Sequence, residues 1–124
     1  MKPATKVWVA KAEQDLEAAK CCMQKAGPPV YDAVCFHCQQ CAEKYMKAVL
    51  TERGVHFPKT HDLKELVALI STVVQGWSAA LTDLNLLAPA AVEYRYPGSD
   101  ATLPEATEAL EACERLRTSL LSLL

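Results

Sequence analysis

The sequence predicts an all-α fold, an antiparallel up-down bundle of four main helices plus a short or kinked extra helix. Three observations predict it. Apolar residues recur at steps of three and four through most of the chain, Pro and Gly gather at a few breaks, and period-two alternation never persists long enough for a convincing strand. Short breaks between amphipathic helices favour neighbours that run antiparallel. With 124 residues the chain fits one domain spanning 1–124, and an all-helical chain of that size buries about two-thirds of its unfolded surface.

The first helix is expected from Thr5 to Ala26. Trp8, Ala12, Leu16, Ala19, Met23 and Ala26 recur at helical spacing, and Gly27-Pro28-Pro29 stops the pattern. The second runs from Tyr31 to Arg53, with Gly54 as its C-terminal stop. The third starts at Thr60, His61 or Asp62, carries Leu63, Leu66, Val67, Ile70, Val73 and Val74, and ends before Gly76. A fourth segment follows from Ser78 with Leu81, Leu84, Leu87, Ala91 and Val92, and Pro89 inside it should kink or split it. Pro97-Gly98-Ser99-Asp100 reads as a turn. After it, Thr102-Leu103-Pro104-Glu105 has the form of a capping box with Pro in the first turn. The last helix then packs through Ala106, Ala109, Leu110, Cys113, Leu116, Leu120 and Leu124.

Helix two organises the chain. At about 100° per residue it resolves into three stripes. Val34, Cys38, Cys41, Tyr45 and Ala48 form an apolar stripe, and Phe36, Gln39, Glu43, Met46 and Leu50 a mixed one beside it. The third stripe is polar: His37, Gln40, Lys44, Lys47 and Thr51 line one ridge with an imidazole, an amide, two ammonium groups and a hydroxyl. Lys and Gln also suit an ordinary solvated face, so the ridge reads either as helix surface or as a site. Two adjacent apolar or mixed stripes exceed what one neighbour needs, which points to a second chain and hence a homodimer.

Charge narrows the functional classes. A net charge of −2 and a pI near 5.9 argue against broad, sequence-independent nucleic-acid binding, which depends on a basic surface. Any anionic ligand must be held locally. The stretch from His37 to Lys64 gathers Lys44, Lys47, Arg53, Lys59 and Lys64 with all three histidines, against Glu43, Glu52 and Asp62. The start of the chain has no apolar run of signal-peptide length, and no later run reaches the 18 or more apolar residues of a membrane span, so a soluble, cytoplasmic protein without membrane association is expected. The six cysteines fall at core-type helical positions and are expected as reduced, buried thiols. Cys35, Cys38 and Cys41 form a C-x2-C-x2-C run, but on a helix they fan apart rather than converge, and no second cluster completes a ligand set. No metal or cofactor is expected.

Four pieces of the chain, in content and order, resemble the HEPN domain. They are Trp8 with AEQDL (Ala12–Leu16), YDAVCFHCQQCAEKYMKA (Tyr31–Ala48), GVHFPKTHDLKEL (Gly54–Leu66) and YRYPG (Tyr94–Gly98). The resemblance implies a helical bundle that commonly dimerises and a domain named for nucleotide binding. Many members of the family partner a small nucleotidyltransferase of the MNT type in toxin–antitoxin or related defence modules. Other members are metal-independent ribonucleases with an Arg, four to six residues, then a His. This sequence departs from that pattern: Arg53 has His56 too near and His61 too far, and Arg95, Arg115 and Arg117 have no histidine after them. The departure argues against nuclease activity, and no catalytic residue is assigned.

The expected function is therefore a non-catalytic nucleotide-binding and interaction module, with a nucleotide, an RNA end or an MNT-type nucleotidyltransferase as partner. The rival is a ribonuclease that pairs Arg95 with His37 or His61. The candidate binding residues are His37, Gln40, Lys44, Lys47, His61 and Arg95. His37 can hydrogen-bond a base or phosphate near neutral pH, and Lys44 and Lys47 offer point charges to phosphate. His61, with Lys59, lies beside a helix N-terminus, whose free N–H groups favour an anion; capping by Thr60-His61-Asp62 is the plainer reading. Arg95 stands between Tyr94 and Tyr96, a setting that suits a guanidinium held by rings and turned to a phosphate or to Glu93.

Overall fold

A computed structural model describes residues 1–91 and 97–124. The described residues form five α-helices, α1 (Pro3–Gln24), α2 (Tyr31–Glu52), α3 (Leu63–Ser71), α4 (Leu81–Leu87) and α5 (Leu103–Leu121), with a 3₁₀ turn at Ala88–Ala91 after α4. There is no strand among them. The 3₁₀ turn contains Pro89, whose missing N–H cannot continue the α-helical ladder, so α4 tightens where the sequence places the break.

Helix α2 is the axis of the molecule. It packs on α1 and α5 most extensively and also meets α3, α4 and the 3₁₀ turn. Its first apolar stripe is buried as expected, and so is the mixed one apart from half-buried Phe36. Tyr45, Met46, Val49 and Leu50 are wholly enclosed. All of that burial is supplied by this chain's own helices, so α2 holds no spare apolar stripe for a second chain.

The ends of the helices fix their directions. Lys2 N–H and Thr5 Oγ1 at the start of α1 both donate to Glu52 Oε1 at the end of α2, at 2.9 Å each, so these two helices run antiparallel. Asp32 in the first turn of α2 accepts from Ala101 N–H at 2.6 Å, and Arg53 Nη2 donates to Leu123 O at 3.3 Å, so α2 and α5 run side by side in the same direction. Arg117 on α5 clamps Glu13 on α1 through two bonds of 2.6 and 2.8 Å. Tyr45 Oη is buried beside this pair with no hydrogen-bond partner among the described residues, and burial, with the Glu13 carboxylate adding to it, pushes the phenol up from its ordinary value.

Local chemistry accounts for the helix ends. Gly54 adopts φ +70°, the left-handed conformation that ends α2 at little cost for a residue without Cβ. Asp62 caps α3, its side chain accepting from Lys64 N–H at 3.0 Å. α3 is shorter than expected, stopping at Ser71 rather than near Gly76. Ser71 Oγ donates to Val67 O at 2.9 Å and Thr72 Oγ1 to Leu69 O at 2.6 Å, and the β-branched run Thr72-Val73-Val74 that follows has low helix propensity. The capping box of α5 is present in both directions between Thr102 and Glu105. Leu81 differs from expectation: it is 60% exposed, because as the first residue of α4 it precedes the turn whose Leu84 and Leu87 reach the core.

Candidate functional site

Two buried carboxylates organise the polar side of α2. Asp15 comes from α1, where it lies on the buried face with Ala12, Leu16 and Ala19. Its Oδ1 sits 2.8 Å from His37 Nδ1 and its Oδ2 2.5 Å from Lys44 Nζ. One carboxylate thus holds an imidazole and an ammonium that stand two helical turns apart on the same ridge. Their side chains remain 30% and 23% exposed, whereas that of Asp15 is 10% exposed. A carboxylate only accepts, so His37 Nδ1 carries a proton, and in the neutral ring Nε2 is the nitrogen with the lone pair. The Phe36 ring lies edge-on to the imidazole, 5.4 Å between centroids, and limits how far it can swing.

Glu43 is the second carboxylate, and its own side chain is only 3% exposed. Oε2 accepts from Lys47 Nζ at 3.0 Å, one helical turn on; Oε1 accepts from His61 Nδ1 at 2.9 Å and from Gln39 Nε2 at 3.3 Å. Gln39 Nε2 also donates to His61 O at 3.0 Å, and Gln40 Nε2 donates to Gln39 Oε1 at 2.7 Å. The result is a continuous chain of polar groups whose buried members, Gln39, Glu43 and Lys47, each have hydrogen-bond partners, the condition under which such groups are tolerated in a core.

The predicted site residues therefore separate. His37, Gln40 and Lys44 stay on one half-buried ridge. Lys47 leaves it: the residue is 7% exposed, and its ammonium lies 5.7 Å from the Trp8 ring and 5.9 Å from the Phe57 ring, which pack edge to face. Trp8 and Phe57 cover it with ring faces that attract a cation, and Glu43 neutralises it, so Lys47 is part of the packing and not of a solvated face. His61 stands just before α3 but turns its Nδ1 onto Glu43, while Asp62 takes over the capping of the helix. Its side chain is 61% exposed and borders a cleft of about 290 Å³ that Asp62, Leu63, Ala88 and Ala91 also line. Lys59 is exposed. Arg95 falls within residues 92–96, outside the described residues.

Sequence reasoning did not single out Asp15, and it placed Glu43 merely within a mixed stripe. A signal for both exists. Asp15 falls at a core position of helix one, between Ala12 and Ala19, and Glu43 lies between Gln39 and Met46 on a face that buries. An acid on an apolar face requires a partner, and the basic ridge of helix two is the nearest supply.

The cysteines are all free. Cys35, Cys38, Cys41 and Cys113 are buried, Cys22 is partly so and Cys21 is exposed, so the expectation of buried thiols holds for four and is half met by Cys22. Burial, with Glu105 and Asp32 nearby, pushes the Cys35 thiol up to about 11. Among the described residues no cluster of three or more His, Cys, Asp or Glu could hold a metal ion. No described helix is long and apolar enough to cross a membrane.

Comparison with known proteins agrees with this architecture. The structure is similar to the crystal structure of an archaeal HEPN homologue, with a TM-score of 0.64, 24% sequence identity and 98% of each chain covered. At that identity the likeness establishes the fold alone. A search of curated proteins returned no match. The family model described as the HEPN domain matches residues 5–123. That match spans nearly the whole chain, and the protein belongs to the HEPN domain family.

Proposed function

We propose that this HEPN protein is a single-domain binding module whose ligand is the phosphate group of a nucleotide or an RNA end, and that it is not itself a nuclease. The observation that supports the reading is the Asp15 clamp. It holds His37 and Lys44 on one half-open ridge with Gln40 between them, and among the described residues it leaves the imidazole Nε2 and the remaining ammonium hydrogens for a ligand. His61 belongs to the reading as a second exposed imidazole, oriented by Glu43, and Arg95, outside the described residues, as a further cation. Lys47 contributes by holding Glu43 in place rather than by touching the ligand.

The rest of the module reading follows the family. The four longer helices form an up-down bundle, the protein acts as a homodimer, and its partner is an MNT-type nucleotidyltransferase in the cytoplasm. Because α2 is filled by its own chain, the second copy must use other surfaces; Val7 on α1, Leu81 on α4 and Leu103 on α5, at 57%, 60% and 51% exposed, are among the large apolar side chains on them. Light scattering that gives a stable monomer near 13.6 kDa at micromolar concentration would refute the dimer.

Calorimetric titration of ATP, other nucleotides and short RNA tests the site. Binding should weaken with added salt, since partly exposed charges are screened over about 8–10 Å. Lys44→Ala, His37→Ala and Arg95→Ala should each cost roughly 1–3 kcal/mol of affinity, the range for a lost charge-assisted hydrogen bond. No heat with any ligand removes the ligand site and leaves a partner-protein role for the ridge. Robust RNA cleavage that disappears in His37→Ala and Arg95→Ala overturns the non-nuclease reading.

A further inference from the structure

The chain holds two imidazoles whose Nδ1 is engaged by a buried carboxylate, His37 by Asp15 at 2.8 Å and His61 by Glu43 at 2.9 Å. In both, the carboxylate fixes the tautomer of the neutral ring, whose lone pair then lies on Nε2, clear of the Nδ1 contact. They differ in the charge beside them. The cation paired with Glu43 is Lys47, which Trp8 and Phe57 cover. The cation paired with Asp15 is Lys44, whose side chain is 23% exposed and which shares the ridge with His37 and Gln40. Of these two imidazoles, His37 is the one whose carboxylate is shared with an accessible cation. Asp15 itself, at 8% exposed, is set back from solvent, so its charge reaches an incoming anion less directly than that of Lys44.

We infer that His37 is a phosphoryl acceptor, taking a phosphoryl group on Nε2 from a small activated phosphate of the acyl phosphate or phosphoramidate class. This goes beyond the binding role and does not require a bound nucleotide. With an acyl phosphate, the Nε2 lone pair attacks phosphorus and a nitrogen–phosphorus bond forms. The bond from phosphorus to the acyl oxygen breaks, and its electron pair leaves with the carboxylate product. The ring gains one positive charge, which the Asp15 carboxylate offsets through the Nδ1 hydrogen bond, and no proton is released. The ammonium of Lys44 and the second amide hydrogen of Gln40, whose first is spent on Gln39, offset the charge of the transferred group.

The test incubates the full chain with acetyl phosphate, and separately with phosphoramidate, and reads intact mass, the modified residue by fragmentation, and the isomer by phosphorus NMR. The expected product is one phosphoryl group per chain, labile in acid and stable in alkali, on Nε2 of His37. His37→Gln should abolish it, and Asp15→Asn should slow it about tenfold or more, the range for loss of a group that orients an imidazole. Circular dichroism checks that each variant is folded. Failure of the folded wild-type protein to form an adduct overturns the inference, even with the variants set aside. So does labelling on His56, His61 or Nδ1, or labelling of the urea-unfolded chain as fast as the folded one. Release of inorganic phosphate without an adduct overturns it too, since that marks His37 as a base toward water instead.

Discussion

Asp15 and Glu43 perform the same task to different ends. Each carboxylate holds one histidine and one lysine, and each reaches α2 or belongs to it. Around Glu43 the lysine is sealed under Trp8 and Phe57, both oxygens are spent, and Gln39 and the backbone of His61 complete the network. Around Asp15 both partners, His37 and Lys44, keep a quarter or so of their side-chain surface in water. The difference shows how solvent access decides the meaning of an ion pair. A sealed pair cannot lose one member cheaply, while a half-open pair can exchange some of its water for a ligand.

The comparison breaks most sharply at Glu43. Glu43→Ala leaves the Lys47 ammonium buried and unpaired, and should destabilise the protein by about 3–5 kcal/mol in urea unfolding. Replacing both partners, Glu43→Leu with Lys47→Met, should recover most of that loss, because two apolar groups of similar size leave no orphan charge. If the double variant is as unstable as the single one, the charge argument fails. Asp15→Asn should cost less, roughly 1–3 kcal/mol, since His37 and Lys44 can turn to water. Lys44→Ala should change stability by less than about 1 kcal/mol while weakening phosphate binding, which separates the half-open cluster from the sealed one.

The smallest effect is expected at Glu13. Its hydrogen bonds from Arg117 hold the carboxyl below its ordinary value of 4.5, against a weaker opposing effect of burial. A carboxyl depressed by folding stabilises the fold above its unfolded value and loses that contribution as pH falls through the folded one. Stability should therefore decline as pH drops below about 4.5, and Glu13→Gln should make the decline shallower. The side chain is 40% exposed, so the change in slope is modest.

Much of the fold is legible in local chemistry. Gly27-Pro28-Pro29, Gly54, Pro89 and the Thr102–Glu105 box mark breaks that the helices respect, because each acts through its own backbone or the next turn. The site is less legible, because its partners are remote in sequence. Asp15 reaches His37 and Lys44 across 22 and 29 positions, and Lys47 is buried by Trp8, a residue from another helix. Helical spacing placed Lys44 and Lys47 on one ridge, and within α2 the one sign that separates them is Glu43, a turn before Lys47. Only the aromatic pair contributed by α1 and the loop before α3 moves one of them inside. The width of α2's apolar surface was likewise readable, but not that α1, α3, α4 and α5 would use all of it.

The central claim is that the ligand is centred on the Asp15 cluster, with His61 of the Glu43 cluster secondary to it, and imidazole nitrogen NMR tests it most directly. In the free protein the neutral His37 ring should carry its proton on Nδ1, against Asp15. Titration with ATP should then move the His37 Nε2 resonance saturably and further than either ring nitrogen of His61, and Lys44→Ala should weaken the response. An unmoved His37 ring at ATP concentrations that saturate binding by calorimetry, or a response centred on His61 and indifferent to Lys44, would contradict the account.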